Sequence, residues 1–329
     1  MPKIISNTAQ YDMYHLKSLN VGLDRLTLTV NPHLSPIYKK YVADAISSAK
    51  IGDEFTFIGA PHGSGYRVSV RLVIPGAEPD AYPIFQIAPY GKSAFFRLEC
   101  NPNHLGPAGI EAMKNIIDGN TPHGWVLFMY LATVSRLDVN IDAQGIPLHR
   151  LVLGSKYPRV TELWNQKGEQ DEMNVHTVYL GNKAKSDSLY RVYRLQGSKI
   201  APGSETATRF ENVDEASRPK LKDLHKYQNP FGKLVVGSVL ASKPEGWEPW
   251  LWEMTMRIAA DHGLHAALHH LPLDKRKAAK KALSVPPCGI DLMSCWDQWP
   301  ALIEKFGVQS PGILGPSLAV YSSEFEKAA

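Results

Sequence analysis

The segment GYRVSVRLVI, residues 65–74, alternates apolar side chains with polar and charged ones. Successive residues of a β-strand point to opposite faces, so the pattern predicts a strand with one apolar and one polar face. Such strands are typical of antiparallel sheets that cover a core with one face and meet solvent or a charged ligand with the other. The segment therefore favours an antiparallel sheet and makes Arg67 and Arg71 candidate contacts for a charged ligand.

Similar short segments recur up to about residue 240, interrupted by predicted helices at 106–119, 122–134 and 159–168. Beyond residue 244 the pattern becomes helical, and five of the seven tryptophans lie between residues 247 and 299. The sequence therefore predicts an α+β protein with a central, mostly antiparallel sheet flanked by helices. We expect one domain over residues 1–243 and a smaller helical C-terminal region over residues 244–329.

Composition restricts the class of protein. The chain of 329 residues carries a net charge of +4, which permits nucleic acid as a partner without requiring it. Cys100, Cys288 and Cys295 show no metal-type spacing and fit a reducing compartment. The long apolar run at 125–134 has about half of the ~20 residues that a membrane span needs. We therefore expect a soluble, cytoplasmic protein without a membrane partner.

Acidic residues recur on predicted strand faces. In SRLDVNIDAQG, residues 135–145, Asp138 and Asp142 share one face with an arginine and an asparagine, and Glu99 shares a face with Arg97 in FRLEC. Carboxylate oxygens are ligands for hard cations such as Mg²⁺ or Mn²⁺, so these three acids are candidate metal ligands. The alternatives are a solvent-exposed strand face for the aspartates and a cross-strand ion pair for Glu99.

A tyrosine joins this polar surface. ATRFENV places Arg209 and Glu211 on one strand face, and SLYRVYRL places Arg191 and Tyr193 on one face, with Tyr190 on the other. A tyrosine hydroxyl is a weak nucleophile that a base, a metal or a cation can activate, and arginine can hold a phosphate bidentately. These side chains suit attack on a phosphodiester. The alternative is that Tyr193 is an ordinary sheet aromatic, because tyrosine is common in strands.

The ordered segments SRLDVNIDA, TVYLGNKAKSDSLYRVY and TRFE resemble the replication initiation factor family, the rolling-circle initiators of small plasmids and filamentous phages. FRLECNPNHLG also resembles a segment of the phage members, and the resemblance covers roughly residues 20–240. The chain departs from the family pattern with Ser135 in place of threonine and Asn182 in place of serine. Arg194 and Leu195 replace the aspartate and lysine that usually follow the tyrosine.

The resemblance implies a fold similar to HUH-type nucleases, with Tyr193 as the nucleophile and Arg191 beside it. It also implies that Asp138 and Asp142 bind the divalent metal ion, Mg²⁺ or Mn²⁺. The phosphate-binding role of the missing lysine would fall to one of three other basic residues, Arg194, Lys183 and Lys185. Tyr190 is a rival nucleophile on the opposite strand face.

Two clusters in the C-terminal region have alternative interpretations. His262, His265 and His269 have the spacing of one helix face, which suits either zinc or a solvated or DNA-facing surface. The segment DKRKAAKKAL is either a solvated helix face or a helix that contacts DNA phosphates. Its basic residues are Lys275, Arg276, Lys277, Lys280 and Lys281.

Together these features predict a rolling-circle replication initiator that nicks origin DNA by transesterification. Tyr193 would become linked to the 5′ phosphate and release a 3′-OH, Arg191 and Arg209 would stabilise the transition state, and Glu99 would complete the metal site. The expected partners are single-stranded or extruded origin DNA, a host helicase and a DNA polymerase, and a homodimer is one option. The alternatives are a DNA-binding regulator without nicking activity and a metal-dependent hydrolase that uses water.

Overall fold

A computed structural model describes residues 15–30, 54–57, 66–89, 95–120, 124–155, 161–164, 177–180, 188–197, 202–203, 206–285 and 290–310. The fold is α+β, with a large antiparallel sheet and a helical C-terminal region, which confirms the predicted fold class. The likeness to HUH-type nucleases stays a prediction. The strands are β1 (Ser18–Val30), β2 (Phe55–Phe57), β3 (Tyr66–Leu72), β4 (Ile84–Pro89), β5 (Phe96–Cys100), β6 (Thr133–Gln144), β7 (Leu151–Ser155), β8 (Thr161–Trp164), β9 (Thr177–Leu180), β10 (Ser188–Arg194), β11 (Ala207–Asp214) and β12 (Leu234–Ser238).

Six α-helices accompany these strands in the described parts of the chain. They are α1 (Pro102–Asn120), α2 (Gly124–Leu131), α3 (Pro249–His269), α4 (Leu273–Leu283), α5 (Leu292–Cys295) and α6 (Trp299–Phe306). Short 3-10 helices lie at Leu148–Arg150, Leu221–Lys226, Pro230–Lys233 and Trp296–Gln298. The strand order of the large sheet is β2-β3-β4-β5-β1-β6-β11-β10-β9-β8, and β12 pairs separately with β7.

The chain divides into two compact units, each assembled from separate segments. The first unit comprises residues 22–139, 214–228 and 298–329, and the second comprises residues 1–21, 140–213 and 229–297. The boundary falls inside β6, between Val139 and Asn140. The domains expected from the sequence, 1–243 and 244–329, stay a prediction.

In the first unit, apolar strand faces are buried under helices α1 and α2. Leu26, Leu28 and Val30 alternate along β1 and are fully buried. The ring of Phe128 in α2 packs on that of Phe85 in β4, with centroids 6.2 Å apart. This packing covers the apolar side of the strands, so polar side chains at the alternate positions occupy the other face.

In the second unit, helices α3 and α4 surround a core of tryptophan and aliphatic side chains with the small β7–β12 sheet. Gly237 of β12 lies directly against the end of α4. A Cβ atom placed on Gly237 would lie 1.5 Å from the carbonyl oxygen of Leu283. Only a residue without a side chain therefore allows this strand and this helix to approach so closely.

Two predicted helices differ from the structure. The helix predicted at 159–168 is wrong, because Thr161–Trp164 forms strand β8, which pairs with β9. The helix predicted from TrpGluPro at 247–249 onward is confirmed as α3, but Gly263 has non-helical φ and ψ of 81° and 171° and interrupts it. Thr161 and Trp164 favour a strand individually, but they lie three residues apart and give no period of two, so the pairing with β9 is what establishes the strand.

Two of the three cysteines lie in the described part of the chain. Cys100 and Cys295 are free and buried, and burial is the main cause that raises their thiol pKa values, to about 12 and about 11 respectively. Both thiols are therefore poor nucleophiles at neutral pH. Cys288 lies outside the described residues. Among the helices that the structure describes, none combines the length and apolar character needed to cross a membrane.

Candidate functional site

Polar side chains from the second-unit parts of three neighbouring strands, β6, β11 and β10, form two groups of ion pairs and hydrogen bonds. In β6, Asn140 donates from Nδ2 to Oδ1 of Asp142 at 3.2 Å. Arg209 of β11 donates two hydrogen bonds to the same carboxylate, from Nε to Oδ1 at 2.7 Å and from a terminal nitrogen to Oδ2 at 2.8 Å. Asp142 and Arg209 thus form a bidentate pair that is 15% and 9% exposed.

The second group, which we call the tyrosine site, is formed by Tyr193 and Arg191 of β10 and Glu211 of β11. The hydroxyl of Tyr193 donates to Oε2 of Glu211 at 2.9 Å. A terminal nitrogen of Arg191 lies 3.2 Å from Oε1 of the same carboxylate. The Glu211 side chain is 8% exposed, whereas that of Arg191 is 33% exposed. A tyrosine hydroxyl and a guanidinium therefore share one buried carboxylate.

Strand alternation explains why β10 mixes polar and apolar residues. Arg191 and Tyr193 lie two residues apart and reach the same partner, as the sequence predicts. Tyr190 is 4% exposed and points to the other face. Its hydroxyl donates to the carbonyl oxygen of Pro230 at 2.5 Å, and its ring packs against Phe231. Tyr190 is thus a core residue, and Tyr193 is the tyrosine with polar surroundings.

The tyrosine site has the groups that nucleophilic attack by a hydroxyl requires. Glu211 accepts the hydrogen bond from Tyr193, so it is positioned to take the proton as the oxygen attacks. The Arg191 side chain is one-third exposed, so part of its guanidinium is accessible to an anion, whereas its Nε is buried without a hydrogen-bond partner among the described residues.

Glu211 is the residue of this site to which the sequence assigned no role. Its alternation with Arg209 in ATRFENV placed it on the polar face, but nothing in the sequence shows that β11 lies beside β10. The pairing of these two strands brings Glu211 to Tyr193 across the sheet. The sequence signal that could have identified Glu211 was an acidic residue on the polar face of the strand that follows the tyrosine strand.

In the first unit, the two predicted metal ligands are held by arginines. Glu99 accepts from Arg25 through one carboxylate oxygen and from Arg97 through the other. Asp138 is 5% exposed and receives two bonds of 2.8 Å from Arg136. The hydrogen bond from Arg136 to Asp138 is the main cause that raises the pKa of Arg136. Both acids are therefore neutralised within the unit itself.

These ion pairs bear on whether the predicted ligands could bind a divalent cation. Glu99, Asp138 and Asp142 each have an arginine partner, and two of them belong to a different unit from the third. Within the ranges that the structure describes, no three His, Cys, Asp or Glu side chains are grouped as a metal site requires. The arrangement assigns no ligand set to Mg²⁺ or Mn²⁺, and the metal stays a prediction.

The predicted phosphate contacts on the strands are only partly described. Arg71 is exposed, and one terminal nitrogen lies 3.5 Å from the carbonyl oxygen of Pro79. Arg194 is exposed at the end of β10. The side chain of Arg67 lies outside what the structure describes, as do Lys183 and Lys185 in their entirety.

The basic helix α4 contains two kinds of cation. Lys275 lies over the ring of Trp247, with Nζ 5.1 Å from its centroid, and Arg276 donates to the carbonyl oxygens of Leu271 and His269. These two residues have structural partners. The other three are exposed, and they are Lys277, Lys280 and Lys281.

The three histidines of α3 also lie at the surface. His262, His265 and His269 are exposed, and Gly263 breaks the helix between the first of them and the other two. The continuous helix face that their spacing predicts is therefore interrupted. Zinc binding by these residues stays a prediction.

Comparison with known proteins yields no relative from which a role could be transferred. No protein-family model matches the chain, and neither a curated protein nor a solved structure matches it significantly. The chemistry of the tyrosine site is therefore the principal support for a function.

Proposed function

We propose that the protein is a DNA nicking and joining enzyme that initiates rolling-circle replication, with Tyr193 as its nucleophile. The observation that carries the proposal is the hydrogen bond from the Tyr193 hydroxyl to a buried carboxylate, Glu211, that Arg191 also contacts. An ordinary sheet tyrosine needs no such partner, because a surface hydroxyl can bond to water. The order of the motifs along the chain supports the same function.

In the proposed reaction, the Tyr193 oxygen attacks the phosphorus of a scissile phosphodiester. Its proton passes to Glu211 as the new O–P bond forms. The bond from phosphorus to the 3′ oxygen breaks, and that oxygen takes up a proton and leaves as a 3′-OH. Arg191 stabilises the charge that develops on the phosphoryl oxygens. The product is a 5′-phosphotyrosine ester that a second 3′-OH can attack, so the same site rejoins ends.

Arg209 has a different role in this proposal from the one that the sequence indicated. Its guanidinium is committed to Asp142 by two bonds and is 9% exposed. It therefore acts as a positioning residue that holds β6 and β11 together beside the tyrosine site. A divalent cation, Mg²⁺ or Mn²⁺, would add electrostatic stabilisation of the phosphoryl group when bound. The origin DNA, a host helicase and a polymerase remain the proposed partners.

A second candidate function is a DNA-binding replication regulator that does not nick. The observation that favours it is that each of the three predicted metal ligands forms an ion pair with an arginine. Such closed pairs stabilise a polar sheet face without leaving oxygens for a cation. A hydrolase that uses water, with Tyr193 as a structural residue, is the third alternative.

One experiment separates these functions. A pool of single-stranded oligonucleotides, labelled at either the 5′ or the 3′ end, is incubated with the protein and Mn²⁺ and resolved on a denaturing gel. Nicking by tyrosine transfers only the 3′ label to the protein and leaves the 5′ label on a shorter free strand. Two free fragments would support the hydrolase. A shift confined to native gels would support the regulator, and a parallel reaction with EDTA tests the metal.

The exposed lysines of α4 provide a test of DNA binding. We expect the triple variant Lys277→Gln, Lys280→Gln, Lys281→Gln to bind single-stranded DNA more weakly and with a smaller salt dependence. Loss of three phosphate contacts reduces the slope of log K against log salt by about 2. Fluorescence anisotropy at several salt concentrations measures this slope.

Lys275→Gln is the matched control for this triple variant. Its ammonium group lies over Trp247, so its loss affects packing rather than phosphate contacts. We expect an unchanged salt slope. A triple variant with the slope of the wild type would show that α4 is a solvated helix face.

A further inference from the structure

The first half of helix α3 exposes two large apolar side chains on one face. Trp250 is 62% exposed and Met254, one turn later, is 47% exposed. Arg257 follows after a further turn and is exposed as well. Residues four and three apart are neighbours on a helix surface, so these three side chains form a stripe about two turns long. We call it the Trp250 stripe.

The opposite side of the same helix anchors it in the second unit. Trp252, Thr255 and Ala259 are 8%, 2% and 1% exposed. The indole nitrogen of Trp252 donates to the carbonyl oxygen of Ala241 at 3.2 Å, and its ring contacts that of Trp247. Since the inner side already supplies the core contacts, the Trp250 stripe is not needed for packing within the unit. A tryptophan of this exposure is typical of an interaction surface.

The charges around the stripe decide which partner it fits. Glu248 and Glu253 flank Trp250 and are exposed, and Arg257 is the cation of the stripe. Two carboxylates beside the tryptophan disfavour a nucleic-acid backbone there. Although Glu253 and Arg257 are four residues apart, the described residues include no ion pair between them. Both charges are therefore available to a protein partner.

We propose that the Trp250 stripe binds the same stripe of a second copy of this chain, in an antiparallel helix pair about a twofold axis. The stripe is self-complementary, because Trp250 lies at one end and Arg257 at the other. An antiparallel pair therefore places the tryptophan of each copy opposite the arginine of the other. With the axis between Glu253 and Met254, Trp250 faces Arg257 of the partner subunit and makes a cation–π contact. Glu253 then lies within one turn of Arg257 of the partner subunit, and Met254 packs at the centre. An interface of this kind repeats each contact twice.

The size of the stripe sets the strength of the association. A contact of two helical turns from each copy is smaller than the standard interface of ~1,600 Å², which places it among weak and transient interfaces. We therefore expect a dissociation constant in the micromolar range or above. The dimer forms without DNA, so its failure and the failure of the nicking proposal are separate results.

Sedimentation velocity of the full chain without DNA, from about 1 to about 200 μM, tests the proposal. The expected result is a sedimentation coefficient that rises with concentration in the wild type. Trp250→Ala should weaken the association at least about tenfold, because it removes the aromatic anchor from both ends of the interface. Leu273→Ala is the matched control, since Leu273 is 79% exposed but lies on α4, and it should associate as the wild type does.

A charge reversal tests the geometry. Arg257→Glu removes the cation–π contact and places a carboxylate within one turn of Glu253 of the partner subunit, so it should leave the protein monomeric. The double variant Glu253→Arg, Arg257→Glu restores opposite charges but not the cation–π contact, so it should regain part of the association. A wild type that stays monomeric throughout this range would overturn the proposal. So would a Trp250→Ala variant that associates normally, or a double variant no better than Arg257→Glu alone.

Discussion

We expect the Tyr193→Phe variant to form the covalent adduct with single-stranded DNA at least about a thousandfold more slowly than the wild type. The change removes the attacking oxygen and keeps the ring. Glu211 loses one hydrogen bond but retains Arg191, so the fold and DNA binding should persist. The measurement is the rate at which the 3′-labelled strand becomes attached to protein, together with a binding curve for the same oligonucleotide.

Tyr190→Phe is the matched control, because it removes the same atom from the same strand. The hydroxyl of Tyr190 bonds to the carbonyl oxygen of Pro230 in the core, so its loss should cost about 1 kcal/mol of unfolding free energy. The adduct rate should stay within about twofold of the wild type. If Tyr190→Phe abolished the adduct and Tyr193→Phe did not, the nucleophile would lie on the other face of β10. If neither variant affected the adduct, another residue would be the nucleophile.

The Gly237→Ala variant should lower the free energy of unfolding by about 3 kcal/mol or more. The added methyl group would lie 1.5 Å from the carbonyl oxygen of Leu283, which belongs to the backbone and cannot rotate away. Strand β12 and the end of α4 would have to separate, and the core around Leu283 would lose contacts. Urea denaturation followed by tryptophan fluorescence measures the change.

Gly232→Ala provides the comparison for this substitution. Its Cβ would meet only the sulfur of Met293, at an ordinary contact distance of 3.8 Å. We expect a change of less than about 1 kcal/mol, because the chain loses unfolded-state entropy and gains no clash. Equal destabilisation by both variants would mean that the approach of α4 to β12 is looser than the structure indicates.

Side-chain alternation made it possible to predict which residues share a strand face. It did not predict which residue of a neighbouring strand they contact. The face shared by Arg191 and Tyr193 follows from a period of two that the chain itself carries. Their common partner, Glu211, depends on which strand lies beside β10, and strand order is a long-range property. Asp138 is a different case, because its partner Arg136 lies two residues away on the same strand and the period of two already places both on one face.

Helical segments show a similar division between local and distant causes. The helical character of residues 249–283 followed from composition, and the break in α3 followed from Gly263. The commitment of Arg276 to carbonyl oxygens at the end of α3 could not be read from a run of basic residues. It arises because α4 folds back after a short turn, which brings an arginine near unpaired carbonyl groups.

Under the proposed function, the ion pairs around the tyrosine site affect how DNA would reach it. Asp142 and Glu211 are matched by Arg209 and Arg191, so these four residues carry no net charge. A locally neutral surface exerts little long-range attraction on a polyanion. In the proposed reaction, capture of DNA would depend on cations elsewhere, and cleavage of the phosphodiester would depend on short-range contacts. Ionic strength would consequently change the affinity for DNA and leave the rate constant of cleavage after binding largely unchanged. Substrate capture and catalysis would then respond separately to salt.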